Sequence, residues 1–375
     1  METKMYEKSK NPFRPSFGSV PPIFLDREDM TNTVAEEIKE ENSPYRTTLI
    51  YGLRGSGKTS FLVDVCNAVE KDAKWIVVYP AADGNLKQNL ISSIISKTES
   101  KVKKFFESTE LSLSLFGAGI AKGKKDSNDA AGFQSDMEQL LKRLKEKEMS
   151  LLIAIDEVSS TEEIKSFASL YNVLRLQNYP VALIMTGLPY NISELQNDKV
   201  LTFLLRSARV ELAPLELFSV KYSYKKTFED AGIKISDSTC AFMAKVTAGY
   251  PYAFQLLGYL VWKKAAEEIS IDVVKNILDE YKVNLFRNVY TKVYSEMSNG
   301  DRKILKIIAH SANASVTPKN LAQELGRTPG YVSTYKKRLL EDQVIEIGSN
   351  GQIGFSLPYF KDFVLENEEM EEIMV

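Results

Sequence analysis

Short, almost wholly apolar runs punctuate the first two hundred residues of the chain. Thr47-Thr48-Leu49-Ile50-Tyr51, Trp75-Ile76-Val77-Val78-Tyr79, Leu151-Leu152-Ile153-Ala154-Ile155 and Val181-Ala182-Leu183-Ile184-Met185 lack the polar alternation of a half-exposed strand. Such runs predict strands buried on both faces, as in a parallel sheet covered by helices. Ala208-Arg209-Val210-Glu211-Leu212 predicts a last strand. Between the runs the spacing becomes helical, from about Arg27 to Glu41 and from Lys58 to Glu70. Strand and helix in alternation predict an α/β architecture.

From Leu215 to about Asn284 the period is helical throughout, with Phe242, Val246, Phe254, Leu257 and Val261 among its apolar positions, and reads as a small helical lid. The pattern changes again near Ser298. Asp301 to Ala309 is an amphipathic helix, and Thr317-Pro318 and Thr328-Pro329 each pair a capping residue with a proline at the first helical position. Gly326 ends the middle helix. Val344 to Ile347 and Gln352 to Phe355 flank Asn350-Gly351, a hairpin signal. Three helices and a hairpin predict a winged helix-turn-helix. The expected division is 1–214 for the sheet domain with an extended, proline-bearing leader, 215–295 for the lid, 296–365 for the winged helix, and 366–375 for a solvated acidic tail. The stretch from Leu111 to Asp129, with its Ser-Leu alternation and three glycines, reads as a loop or hairpin without an assigned role.

Composition narrows the chemistry. The 375 residues suit two or three domains. No apolar run approaches the roughly 18 residues of a membrane span, and the N-terminal METKMYEKSK lacks a signal peptide's apolar core, so a cytoplasmic protein without a membrane partner is expected. Two cysteines without metal spacing read as buried thiols, and one histidine argues against a histidine metal site or a Ser/His relay. Catalysis must then run on carboxylates, Lys, Arg, Thr and a borrowed metal. The net charge of −2 confines any DNA contact to a local patch.

Gly52-Leu53-Arg54-Gly55-Ser56-Gly57-Lys58-Thr59-Ser60 follows the first strand and opens a helix. Its glycines let backbone amides wrap a phosphate chain, and the helix N-terminus adds a favourable partial charge. Lys58 can reach the β- and γ-phosphates of ATP, and the Thr59 hydroxyl can ligate Mg²⁺. Asp156 and Glu157 close the strand that begins at Leu151. Asp156 would hold Mg²⁺ through water and Glu157 would polarise the attacking water. Thr186, at the end of the next strand, could sense the γ-phosphate or hold that water with Glu157. Arg206 could reach a neighbouring subunit's γ-phosphate as an arginine finger, with Arg209 a competitor and a structural ion pair the alternative. That reading implies a nucleotide-dependent homo-oligomer.

These motifs, in this order and followed by a helical lid, resemble the AAA+ ATPases of the origin-recognition-like branch, close to the STAND signalling ATPases. The leader, Asn11-Pro12-Phe13-Arg14-Pro15 through Pro21-Pro22 and Leu25-Asp26-Arg27-Glu28, is similar to the box preceding the P-loop in bacterial members. The resemblance implies that Phe24 to Arg27 pack on the base side of ATP. It also implies that Pro251, in Gly249-Tyr250-Pro251, replaces the arginine that many AAA+ lids place on the nucleotide. Two departures accompany it: Asp26 stands where the box usually has glycine, and the lid arginine is missing.

In the helix beginning at Thr328, Val332, Tyr335 and Leu339 would face inward. That leaves Tyr331 and Thr334 for base edges and Lys336, Lys337 and Arg338 for phosphates of duplex DNA. The leading expectation is an ATP-hydrolysing protein that couples nucleotide state to DNA binding, as an initiator, loader or regulator. The alternative is a STAND-like switch in signalling or defence whose winged helix docks on protein. A transporter or metabolic kinase is disfavoured, because no membrane motif or second substrate site is evident.

Overall fold

The computed structural model describes residues 10–16, 23, 27–82, 85–101, 130–311, 316–348 and 351–373. The expectations for Phe24 and for the 111–129 stretch lie outside them. The chain forms two compact units, one of Asp29–Tyr51 with Phe61–Glu211, the other of Met1–Glu28, Gly52–Ser60 and Leu212–Val375.

The first unit carries the sheet. In chain order its elements are α1 (Glu28–Lys39), β1 (Thr47–Tyr51), α2 (Lys58–Glu70), β2 (Trp75–Val78), α3 (Leu86–Lys101), α4 (Ala130–Glu146), β3 (Ser150–Ile155), α5 (Glu162–Leu176), β4 (Val181–Gly187), α6 (Pro189–Gln196) and β5 (Ala208–Glu211). The five strands are parallel in the order β2-β3-β4-β1-β5. β4 is buried along its whole length, which requires helices on both faces and explains its unbroken apolar run. Ile155 of β3 lies opposite Met185 of β4, and Gly187 of β4 opposite Tyr51 of β1. The carboxyl ends of β3, β4 and β1 therefore open side by side, and β4 reaches two residues farther than its apolar run.

The second unit continues with α7 (Leu217–Asp230), β6 (Lys234–Ile235), α8 (Asp237–Thr247), α9 (Pro251–Lys264), β7 (Glu268–Ile269), α10 (Ile271–Lys275) and α11 (Leu278–Leu285). The stretch expected to form a helical lid is thus not helical throughout, since β6 and β7 pair in parallel. The leader completes its core. Phe13 is 1% exposed and packs against Tyr224, Phe228, Phe254 and Trp262. Gly258 makes room, because a Cβ there would collide with the Phe13 ring. Asn11 donates to Tyr259 O, and Gln255 Oε1 accepts the Arg14 amide, fixing the extended leader along α9.

After α11 come a π-helical turn at Phe286–Tyr290, α12 (Thr291–Ser295), α13 (Asn299–His310), α14 (Pro318–Glu324), α15 (Pro329–Glu341), the antiparallel pair β8 (Ile345–Ile347) and β9 (Ile353–Phe355), and α16 (Phe360–Ile373). Ser298, Thr317 and Thr328 cap α13, α14 and α15 through side-chain oxygens. The expectation of a solvated acidic tail is corrected. Residues 366–373 belong to α16, whose Phe360, Phe363 and Val364 are buried. Glu368 and Glu371 pair with Lys306 on α13, and Glu368 also bonds His310 at 2.6 Å. The acids continue an amphipathic helix whose basic partners lie some sixty residues earlier in the chain.

Cys66 and Cys240 are free and buried, and burial pushes their thiols up to about 12 and about 11. Among the described residues no helix is long and apolar enough to cross a membrane.

Candidate functional site

The chain leaves β1 into Gly52 and enters α2 at Lys58. Gly55 and Gly57 take φ of +80° and +86°, the left-handed region that L side chains rarely adopt. Lys58 is nearly buried, and its ammonium donates to Gly52 O and Leu53 O, both at 2.9 Å. Ser56 is 3% exposed, and its hydroxyl is buried with no hydrogen-bond partner among the described residues. A buried hydroxyl of this kind is costly unless a ligand satisfies it.

The acid pair stands just beyond β3. Glu157 is exposed, with φ of +53°, so the turn lifts it out of the strand line in a conformation a non-glycine residue adopts only when its surroundings impose it. Thr186 does the imposing. It is fully buried, its hydroxyl donates to the Asp156 carboxylate, and the same oxygen accepts the Glu157 amide at 3.0 Å. Its main-chain oxygen accepts the Val158 amide at 2.7 Å. Thr186, Asp156 and Glu157 are thereby brought together. Thr186→Val removes the acceptor of the Glu157 amide and the donor to Asp156. We expect it to lower the stability read from the urea midpoint by about 1–3 kcal/mol, with Thr186→Ser retaining most of it. An unchanged midpoint in Thr186→Val would mean that the hydroxyl does not hold this turn.

Arg206 ends a 3₁₀ turn at Thr202–Arg206 and is exposed, as is Arg209, which donates to Leu205 O at 3.4 Å. Arg27 is 5% exposed. Its guanidinium donates to Ser56 O at 2.7 Å and to Ala213 O at 3.4 Å, so it lies against the backbone of the glycine loop. Pro251 occupies the first turn of α9.

On α15, Val332 and Leu339 are buried, Thr334 and Lys337 are exposed, and Tyr331, Tyr335 and Lys336 are half-buried. The Tyr331 and Tyr335 rings pack 4.5 Å apart between centroids. Lys337 forms an ion pair with Glu341 at 3.6 Å. Arg338 is engaged inward: its guanidinium binds Asp301, which is 2% exposed and closes the capping box of α13, and also reaches Ser298 Oγ at 2.8 Å. The Asp301 carboxylate raises the Arg338 guanidinium above its ordinary value.

Four residues escaped sequence reasoning. The Tyr250 hydroxyl donates to Arg54 O at 2.6 Å and the Tyr252 amide to Gly55 O at 3.2 Å. Glu296 pairs with Arg54 at 3.2 Å, and Gln343 Oε1 accepts the Leu53 amide at 3.5 Å. The one available signal was the pair of tyrosines around Pro251. Nothing local says that their bonds go to a loop about two hundred residues earlier.

Residues 24–184 match the family described as an ATPase domain predominantly from Archaea. Residues 287–364 match a domain of unknown function, DUF8462. Among solved structures, the Walker-type ATPase PABY2304 of Pyrococcus abyssi matches with a TM-score of 0.61 at 17% identity, over 91% of this chain and 96% of that one. The ORC2 protein of Aeropyrum pernix, solved as ADPNP–ADP complexes, matches with a TM-score of 0.63 at 14% identity, over 96% and 98% of the two chains. Its ADP form gives a TM-score of 0.53 at 14% identity, over 94% and 97%. No curated protein sequence matches the chain. At these identities the likeness establishes the fold, an α/β P-loop NTPase with a helical C-terminal region.

Proposed function

We propose that this chain binds and slowly hydrolyses ATP as an AAA+ protein of the origin-recognition-like type, and couples nucleotide state to DNA binding through a C-terminal winged helix. The observation that carries the nucleotide reading is the loop itself: left-handed glycines, a buried lysine and a buried Ser56 hydroxyl without a partner among the described residues, just before α2. These groups fit a polyphosphate. In this reading Gly52 to Ser60 hold ATP, Lys58 faces the outer phosphates, Thr59 and Asp156 hold Mg²⁺, and Glu157 orients water. Mg-ATP would supply a phosphoryl group transferable to that water. Arg206, exposed beside the half-exposed Leu205, would reach the site of a neighbouring copy. ATPase turnover measured with and without duplex DNA across protein concentrations tests the whole. Turnover that is absent at every concentration rejects the hydrolase reading, and turnover indifferent to DNA rejects the coupling.

The DNA reading rests on the outer face of α15. Tyr331 and Thr334 suit base edges, and Lys336 and Lys337 suit phosphates. Arg338, held by Asp301, is assigned to folding in our reading. Replacing Lys336 and Lys337 together with alanine should weaken duplex binding on all sequences alike. It should also flatten the salt dependence by about 0.9 log units per log salt for each phosphate that is no longer neutralised. Fluorescence anisotropy on a mixed pool of duplexes at several salt concentrations reads both quantities. An unchanged slope removes these lysines from the interface.

A second reading is favoured by one observation. Glu296 and Gln343 bring the C-terminal elements onto Arg54 and Leu53 of the glycine loop. A winged helix seated on its own nucleotide loop suits a signalling switch that opens on a cue. Nucleotide-triggered assembly without DNA would support it over the first.

A further inference from the structure

We propose that Arg27 and Tyr250 are positioning residues for phosphate binding, each holding a carbonyl of the glycine loop so that the neighbouring amides are turned the other way, toward the phosphates. The inference deepens the ATP reading above and rests on it.

Three consecutive carbonyls are held from outside the loop. Arg54 O accepts the Tyr250 hydroxyl at 2.6 Å, Gly55 O accepts the Tyr252 amide at 3.2 Å, and Ser56 O accepts Arg27 Nη1 at 2.7 Å. The two carbonyls before them, on Gly52 and Leu53, are covered by Lys58. All five from Gly52 to Ser56 are therefore engaged. A peptide unit is planar, and in its trans form the carbonyl and the next amide point in opposite directions. None of the described peptides is cis. Fixing Arg54 O consequently fixes the direction of the Gly55 amide, and fixing Ser56 O fixes that of Gly57. The Ser56 amide, set by Gly55 O, closes the turn onto Leu53 O at 3.0 Å.

A loop with three glycines in six residues would otherwise lose much conformational freedom on meeting a ligand. Held by its carbonyls, it is ordered in advance, which favours binding. The fit is close at both left-handed glycines. A Cβ on Gly55 would strike the Tyr250 hydroxyl, and one on Gly57 would sit 3.0 Å from Arg27 Nη1. Burial raises the Tyr250 phenol far above its ordinary value, so its hydroxyl remains a donor. Tyr250 and Tyr252 both belong to the start of α9, and the Tyr252 hydroxyl accepts from Asn288 in the π-helical turn at 3.0 Å. The lid therefore acts on the nucleotide through the backbone of the loop, and Arg27 acts on the phosphate side of the site.

The test uses the full chain and calorimetric affinities for two ligands, ATP and inorganic tripolyphosphate, each measured well below the melting midpoint of the variant. Tyr250→Phe deletes one hydroxyl and should weaken both ligands about five- to tenfold, the value of one hydrogen bond. Arg27→Met should weaken both by about tenfold or more, and Arg27→Lys should recover part of the loss, because an ammonium can still serve a carbonyl. Unchanged affinities in Tyr250→Phe and Arg27→Met, with wild type binding normally, overturn the proposal and leave the ATP reading standing. Loss of ATP affinity with tripolyphosphate unaffected also overturns it, and moves Arg27 to the base. Wild-type protein that binds neither ligand rejects the ATP reading and this inference together.

Discussion

Lys58→Ala should abolish tight ATP binding, lowering the affinity by about a hundredfold or more in calorimetry. The lysine is 8% exposed and its ammonium is held at 2.9 Å by Gly52 O and Leu53 O, so the charge is fixed at the mouth of the loop rather than solvated. A charge so placed acts strongly on phosphate, because little water screens it. Two effects combine in the alanine variant. The cation is lost, and so are its two bonds to the carbonyls of Gly52 and Leu53 that help to hold the loop. Lys58→Met keeps the aliphatic stem and should bind as poorly, which separates charge from packing. Unchanged affinity in folded Lys58→Ala protein would reject the site.

The second large effect is on turnover. Glu157→Gln should retain Mg-ATP affinity and lose hydrolysis by at least roughly tenfold, and up to the 10²–10⁴-fold range of a positioned base. Glutamine preserves shape and backbone preference, so the unusual φ of +53° and the amide bond to Thr186 survive the change. Only the proton acceptor disappears. Asp156→Ala should instead weaken Mg²⁺, visible as a higher metal requirement at fixed ATP. Near-normal hydrolysis by Glu157→Gln, measured by phosphate release, would place the base elsewhere.

Much of the fold was legible because the inner strands of the sheet are buried on both faces, and such strands leave continuous apolar runs. β4 runs past its apolar run through Thr186 and Gly187, and Thr186, legible as the hydroxyl that ends this strand, is the residue that organises the acid pair. The caps at Thr317 and Thr328 were legible for the same local reason: a hydroxyl next to a proline has few other uses. What was not legible is nonlocal. Tyr250 meets Arg54 across 196 residues, and Gln343 meets Leu53 across 290. Arg338 lies on the face predicted to point outward, but a guanidinium on a long stem can reach back to a buried carboxylate that no helical wheel displays. The acidic stretch after Glu366 looked solvated because its basic partners, Lys306 and His310, belong to another helix.

The place of Phe13 bears on how the molecule is made. Asn11 bonds a carbonyl 248 residues later, and the Phe13 ring fills a space between side chains that run as far as Trp262. At a synthesis rate of about 5–20 residues per second, the leader is made roughly 12–50 seconds before Tyr259. The strands of the sheet, all encoded before Leu212, are made during that interval, while the aromatic cluster around Phe13 has to wait for α9. Closure of that cluster is therefore a late step that joins an early part of the nascent chain to a young one. Ribosome stalling before Trp262 would yield a chain that has all five strands of the sheet but lacks a ring that the Phe13 side chain packs against.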